Sequence, residues 1–244
     1  MGVQSALKLS EIGCNEIFQI GTLDQIDLYW LKFTDNKLIL YDGPYWIRKF
    51  SHNGDAGVPV TQYKYGTNFY PNTDIHKFLN TDKFVEGKEG VRNAYADMNG
   101  FLSAFSPYVR KCMRPFDITC EVPKGYTRKY GTKPVKIDNV MAAVASMEDF
   151  GQFTNDAYMS YVTRTPWNDD HSFRVTHGGM VHSASRGYGS RIAVTIKLDE
   201  DIEVHEEPLQ RRFYHNGGYR MTAWKISDPS QIVVTNDWKS LFAW

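Results

Sequence analysis

The feature that most constrains the fold is a pair of short β-forming runs near the start of the chain. Leu28-Tyr29-Trp30-Leu31-Lys32-Phe33 and Leu38-Ile39-Leu40-Tyr41 are joined by Thr34-Asp35-Asn36-Lys37, and apolar runs flanking an Asp-Asn turn predict a hairpin. Asp42-Gly43-Pro44 stops the second strand. Ile17-Phe18-Gln19-Ile20 adds a short apolar strand ahead of them. A sheet of this kind must bury a face, so later segments have to cover it or join it. Tyr45-Trp46-Ile47-Arg48-Lys49-Phe50 echoes the Trp-bearing run once, too little to define a repeat.

Helix signals come next. Asn72 or Thr73 can cap a helix carrying Ile75, Phe78 and Leu79 on one face, with Asp74 in the first turn to suit the dipole. A second helical stretch is expected from about Asp97, with Met98, Phe101, Leu102 and Phe105 apolar. It restarts at Ser106-Pro107, with Val109 and Met113 facing inward. Residues 117–134 read as irregular and basic through Lys124, Arg128, Lys129 and Lys133. Val140 to Val144 is a short apolar run, and Ser146 caps a helical turn reaching Phe150. Strands then return: Ser160 to Thr165, ended by Pro166, and two runs, Phe173 to His177 and Met180 to Ser183, flanking Gly178-Gly179. Gly-Gly between such runs predicts a two-residue hairpin turn. Ile192 to Leu198 is the most apolar run and is expected near the middle of a sheet.

Charge excludes some functions. Lys+Arg 28 against Asp+Glu 28 leaves no net charge, which argues against a general nucleic-acid binder or a polybasic membrane-surface protein. No apolar run approaches the roughly 18 residues of a spanning helix. The start, Met1 to Lys8, lacks the apolar region of a signal peptide, and Ala6 stands where a myristoylation motif wants Ser or Thr. The expectation is a protein made in a cytoplasm that leaves it, if at all, by assembly or lysis, with no membrane insertion. Aromatic residues at 14% supply enough ring surface for a large core, so wholesale disorder is excluded. Cys112 and Cys120 can pair, but with Cys14 they make an odd, sparse set, for which reduced thiols are the plainer reading.

Taken in order, several segments resemble an uncharacterised domain family of bacteria and bacteriophages. They are Trp30 in the first hairpin, Asn72-Thr73-Asp74-Ile75-His76-Lys77-Phe78-Leu79-Asn80, Phe101 to Ser106, Tyr161-Val162-Thr163-Arg164-Thr165-Pro166, the Gly178-Gly179 hairpin, and Gly189-Ser190-Arg191-Ile192-Ala193-Val194-Thr195-Ile196. The family pattern runs Ser-Asp-Ile-Arg-x-Trp-Leu-Asn, then Trp-Leu-Arg-Ser/Thr-Pro, then Gly-Val-Arg-Pro-x-x-x-Leu. Here His76 and Phe78 replace the first Arg and the Trp, and Ile192 replaces the Pro. The family is similar to C-type-lectin-like and formylglycine-generating-enzyme-like architectures. The resemblance thus implies an α+β fold: a twisted mixed sheet, two helices and long loops over residues 1–204. Residues 205–244 would be an extension packed on that domain or on a partner. The related oxidising enzymes use a redox cysteine pair in the C-terminal core, whereas this chain has no Cys beyond Cys120.

Several constellations invite a role. Arg164 and Arg191 stand at matching family positions; a buried Arg needs a carboxylate, and Asp74 is the expected partner in a network pinning helix to sheet. Loop aromatics suggest recognition: Tyr63, Tyr65, Phe69 and Tyr70 in one loop, Trp167, Asn168, Asp169 and His171 in a second, Arg186 and Tyr188 in a third. The same rings can instead finish a core. His177 and His182 across the Gly-Gly turn can start a zinc site, and Asp199, Glu200, Asp201, Glu203, Glu206 and Glu207 can gather calcium. The plainer readings are a half-buried strand face and a solvated charge run. No metal or cofactor is therefore expected. Trp238, Phe242 and Trp244 give an apolar ending suited to docking on a partner. These features together lead to the expectation of a non-enzymatic structural or binding protein of a phage particle, in the tail or decorating the capsid. Its partners would be other virion subunits, further copies of itself, or a host-surface glycan or protein, but not nucleic acid. A glycan-binding adhesion module and a formylglycine-generating-type enzyme are the alternatives.

Overall fold

The computed structural model describes residues 7–34, 36–44, 47, 69–88, 93–150, 161–166, 171–175, 181–185, 191–215 and 218–229. In chain order these form β1 (Leu7–Lys8), β2 (Ile17–Leu23), β3 (Ile26–Lys32), β4 (Lys37–Asp42), α1 (Asp74–Leu79), β5 (Phe84–Val85), β6 (Met98–Asn99) and α2 (Pro107–Cys112). Then come β7 (Phe116–Cys120), α3 (Thr127–Tyr130), β8 (Val135–Val140), β9 (Ala142–Val144), α4 (Met147–Phe150), β10 (Tyr161–Pro166) and β11 (His171–Val175). The chain continues through β12 (Val181–Ser185), β13 (Arg191–Ile192), β14 (Val194–Lys197), β15 (Glu203–His215) and β16 (Gly218–Ile226). The fold is α+β, mostly strands with a few short helices.

The main sheet has eight strands in the order β1-β15-β16-β2-β3-β4-β14-β9, and is mixed because β16 runs parallel to β2. The predicted hairpin of Trp30 is there as β3–β4. Strand alternation gives the sheet two buried faces. Trp224, Phe18, Trp30 and Leu40 lie opposite one another across four adjacent strands. That face meets Phe101 and Phe105, each with its ring centroid 6.2 Å from Trp30, and Phe101 in turn packs on Phe78 of α1. Ile17, Leu31, Ile39, Thr195 and Ala143 form the corresponding line on the other face. Phe150 of α4 bridges Phe33 at 5.5 Å and Tyr161 at 5.8 Å, which ties that side to the second sheet, β12-β11-β10-β13.

Helix α1 follows its sequence signals: the Thr73 hydroxyl accepts from the His76 N–H, and Ile75, Phe78 and Leu79 are buried. Four expectations need correction. The helix expected from Asp97 is instead a strand and a 3₁₀ turn (Phe101–Ala104), with the α-helix beginning only after the Ser106 cap. The Asp97 N–H bonds the Val85 carbonyl and the Gly100 N–H bonds that of Lys83, so these donors are spent across a strand pair rather than along a helix. Residues 117–134 are not irregular throughout, since Phe116–Cys120 pairs with Val135–Val140. Val175 lies opposite Val181, one residue off the register that a two-residue Gly178-Gly179 turn imposes, so His182 faces Arg174 across the ladder and His177 lies outside the described residues. The division at residue 204 falls inside β15, and residues 205–226 belong to the main sheet itself.

Candidate functional site

Arg164 is the most constrained charged group. It sits on β10 with its side chain 8% exposed. Its guanidinium donates to Asp149 at 3.1 Å, to the Val144 carbonyl at 2.5 Å and to the Thr119 carbonyl at 3.2 Å, joining β10 to α4, β9 and β7. Asp149 also takes the Lys37 ammonium at 2.8 Å and the Ser146 backbone N–H at 2.7 Å. Burial by itself would raise the Asp149 pKa, but Lys37, Ser146 and Arg164 outweigh it and hold the carboxyl down at about 2. A pinning network therefore exists, with a different acid from the expected one: Asp74 accepts from the Ala94 backbone N–H at 3.0 Å instead. The reason is topological, because Arg164 leaves β10 on the side of α4, whose Asp149 is set in place by the Ser146 cap. Arg191 pins β13 to the end of β4, donating to the Tyr41 carbonyl, with Asp42 at 3.9 Å.

The aromatic loop candidates divide. Phe69 and Tyr70 are buried rather than presented to solvent. Tyr70 accepts the Val144 N–H at 2.9 Å, and burial raises its phenol pKa well above the usual range. Phe69 packs on Tyr130 at 4.6 Å and on Tyr126 at 5.9 Å. For these two rings, completing the core outweighed display. His171 is the first residue of β11. Tyr63, Tyr65, Trp167, Asn168, Asp169, Arg186, Tyr188, Trp238, Phe242 and Trp244 lie outside the described residues.

The acidic run after β14 is spent on local pairs. Asp201 meets Lys8 at 2.8 Å, Asp199 meets Arg114, Glu207 meets Lys225 at 2.6 Å, and Glu206 accepts from Thr222. Among the described residues no group of three or more His, Cys, Asp and Glu converges on a point where a metal ion could sit. Cys14, Cys112 and Cys120 are free thiols. Burial pushes the Cys120 thiol up to about 11 and raises that of Cys112.

Two features have no counterpart in the sequence reading. The first is a groove of about 760 Å³ where β2 and β3 face β15 and β16, lined by Gln19, Asp27, Tyr29, Glu207, Leu209 and Lys225 among others. Its polar groups are held in place: the Gln19 amide donates to Asp27 at 2.7 Å and the Lys225 ammonium meets Glu207 at 2.6 Å, while from outside the groove Thr22 donates to Asp27 at 3.0 Å and His205 lies 3.0 Å from Glu207. The second is the surface of the long β15–β16 hairpin. Beyond a register shift between Pro208 and Phe213, the Phe213 ring turns in onto Tyr29 at 4.7 Å and Tyr41 at 5.7 Å. Tyr219 and Met221 remain 64% and 60% exposed, with the Arg212 guanidinium 4.5 Å from the Tyr219 ring. The groove joins segments from opposite ends of the chain, so no local pattern announces it.

Comparison with known proteins found no matching family model, no matching curated protein and no matching solved structure. Among the described residues, no helix is long and apolar enough to cross a membrane.

Proposed function

We propose that this chain is a non-enzymatic structural and binding protein of a bacteriophage particle, in the tail or decorating the capsid, acting through surface contacts from a C-type-lectin-like scaffold. The observation that carries the contact reading is the exposed Tyr219 and Met221 pair with Arg212 beside it on the β15–β16 strand pair. Tyr, Met and Arg are the residue types enriched where protein surfaces meet, and a strand pair presents them at little ordering cost. The scaffold reading is supported by the course of the chain. Among the described residues it leaves the main sheet after β4, makes four short helices and three smaller sheets, supplies the edge strand β9 on the way, and re-enters at β14. The virion setting rests on the family resemblance of the motif order. In purified particles of the source phage, mass spectrometry is expected to find this chain at stoichiometric level; particles lacking it would overturn the setting. Tyr219→Ser with Met221→Ser is expected to lower incorporation at unchanged melting temperature, and full incorporation would remove that surface from the reading.

A second reading, a glycan-binding module for host adhesion, is favoured by the groove. Fixed amide and carboxylate groups suit sugar hydroxyls, and Leu209, Pro208 and Ile26 give apolar walls. On a glycan array, binding that vanishes in Asp27→Ala would support it, and an array blank for the wild type would remove it. The formylglycine-generating-type alternative gains no such support, since burial raises the Cys112 and Cys120 thiol pKa values, away from the reactive thiolate.

A further inference from the structure

Pro123 to Pro134 carries Lys124, Arg128, Lys129 and Lys133 and no carboxylate, in a chain whose total charge is zero, so the rest of the molecule is net acidic. All four cations are exposed. The segment is held in a fixed shape. The Tyr126 N–H bonds the Pro123 carbonyl at 2.9 Å, the Thr127 hydroxyl donates to the Lys124 carbonyl at 2.8 Å, and the Gly131 N–H bonds the Thr127 carbonyl at 2.8 Å. Gly131 closes the turn at φ +79°, a conformation other residues rarely adopt. From below, Tyr126 and Tyr130 clamp on buried Phe69, and the Asn72 amide donates to the Tyr130 hydroxyl at 2.7 Å. The nearest cation outside the segment, Lys136, is taken up by Asp117 and Asp138, both at 2.6 Å.

We propose that this turn is a binding site for an anionic polysaccharide, gripped through its sulfate, carboxylate or phosphate groups. A run of like charge on a flexible loop would cost ordering entropy on binding; here the ring clamp has already ordered the backbone. The cations are spread along the turn, which suits a linear polyanion better than a single small anion. A nucleic acid strand is disfavoured because it needs free aromatic platforms for its bases. Tyr130 is already engaged, by Phe69 at 4.6 Å and by the Lys129 ammonium at 5.0 Å. The site is separate from the groove and does not depend on it.

The test uses the full chain with heparin, polygalacturonate, neutral dextran and single-stranded DNA as probes. Heparin and polygalacturonate are expected to bind and dextran not. Heparin affinity should fall roughly 50-fold between 50 and 200 mM salt, the loss anticipated when about four cations displace counterions from a linear polyanion. Arg128→Glu with Lys129→Glu is expected to weaken heparin binding by at least about tenfold, and Lys124→Gln with Lys133→Gln to weaken it less, each with an unchanged circular-dichroism melt. Lys136→Gln, whose cation is already shared, should bind as the wild type does. No heparin binding at 50 mM salt, wild-type affinity in both double variants, or tighter binding of DNA than of heparin would each overturn the proposal. Loss of groove binding in Asp27→Ala would leave it standing.

Discussion

At the scale of single residues, the strongest constraint is a charge almost wholly withdrawn from water. Arg164 spends its donors on two backbone carbonyls and Asp149, and Asp149 is shared with Lys37. Removing one member of such a set leaves the others desolvated and unmatched, which is the costly half of a buried ion pair. Arg164→Met is expected to lower stability by about 2–4 kcal/mol, since Lys37 still answers Asp149 while two carbonyls lose their donor. Urea unfolding measures it, and a change below about 1 kcal/mol would mean that the node is ornamental. The same node sets an acid limb. Asp149 is held at about 2, below the unfolded carboxylate value of about 3.9, so its contribution is fully present above about pH 4 and disappears as pH falls through about 2. The expected loss is about 2 kcal/mol, and Asp149→Asn should flatten this part of the stability–pH curve while lowering stability at neutral pH.

At the scale of elements, the β9 edge of the main sheet is closed, among the described residues, by side chains rather than by another strand. The Asn80 carbonyl oxygen accepts from the Met141 and Ala142 N–H groups at 2.9 and 3.3 Å, and its amide donates to the Ala142 and His76 carbonyls at 2.9 and 3.0 Å. With the Tyr70 hydroxyl on Val144, this mimics a neighbouring strand and blocks edge-to-edge pairing. Asn80→Asp keeps the acceptor, loses both donors and faces a carboxylate toward two carbonyls. A loss of about 1–3 kcal/mol is expected by thermal or urea melting, with greater aggregation, and Asn80→Ser should recover little of it. This cap also marks where sequence reading stops. Helix α1 and the β3–β4 hairpin were legible because Thr73, Ile75, Phe78 and the Asp35-Asn36 turn signal locally. The β7–β8 pairing was not: Asp117, Thr119, Lys136 and Asp138 alternate with only two or three apolar residues, so the basic tract around them dominates the pattern. An amide reaching across 62 residues to a strand edge has no local signature at all, and the same holds for the groove and for the choice of Asp149 over Asp74.

At the scale of the whole molecule, the last described hairpin decides whether the sheet exists. Motif order placed a boundary at residue 204, yet β16 lies between β15 and β2 and, among the described residues, is the strand that joins β1 and β15 to the rest of the main sheet. Leu209, Phe213, Ala223 and Ile226 are buried in the same core cluster as Phe18 and Trp30, and Trp224 continues their line across the strands. Glu16 is held from the hairpin by Arg220 and by the Trp224 indole N–H at 3.3 Å. Deleting residues 205–244 thus removes several large buried side chains, each worth about 1.5–3 kcal/mol, and strips the ladder partner from β2. That loss is of the same order as the roughly 5–15 kcal/mol of an ordinary domain. A chain ending at residue 204 is therefore expected to lack cooperative unfolding and to aggregate through the bared edge of β2, whereas one ending at residue 229 keeps the hairpin whole. If the shorter chain unfolds cooperatively within a few degrees of the full one, residues 1–204 are a domain in their own right and the hairpin is an addition to it. If it does not, the surface bearing Tyr219 and Met221 is inseparable from the fold, and any contact it makes is a contact of the scaffold itself.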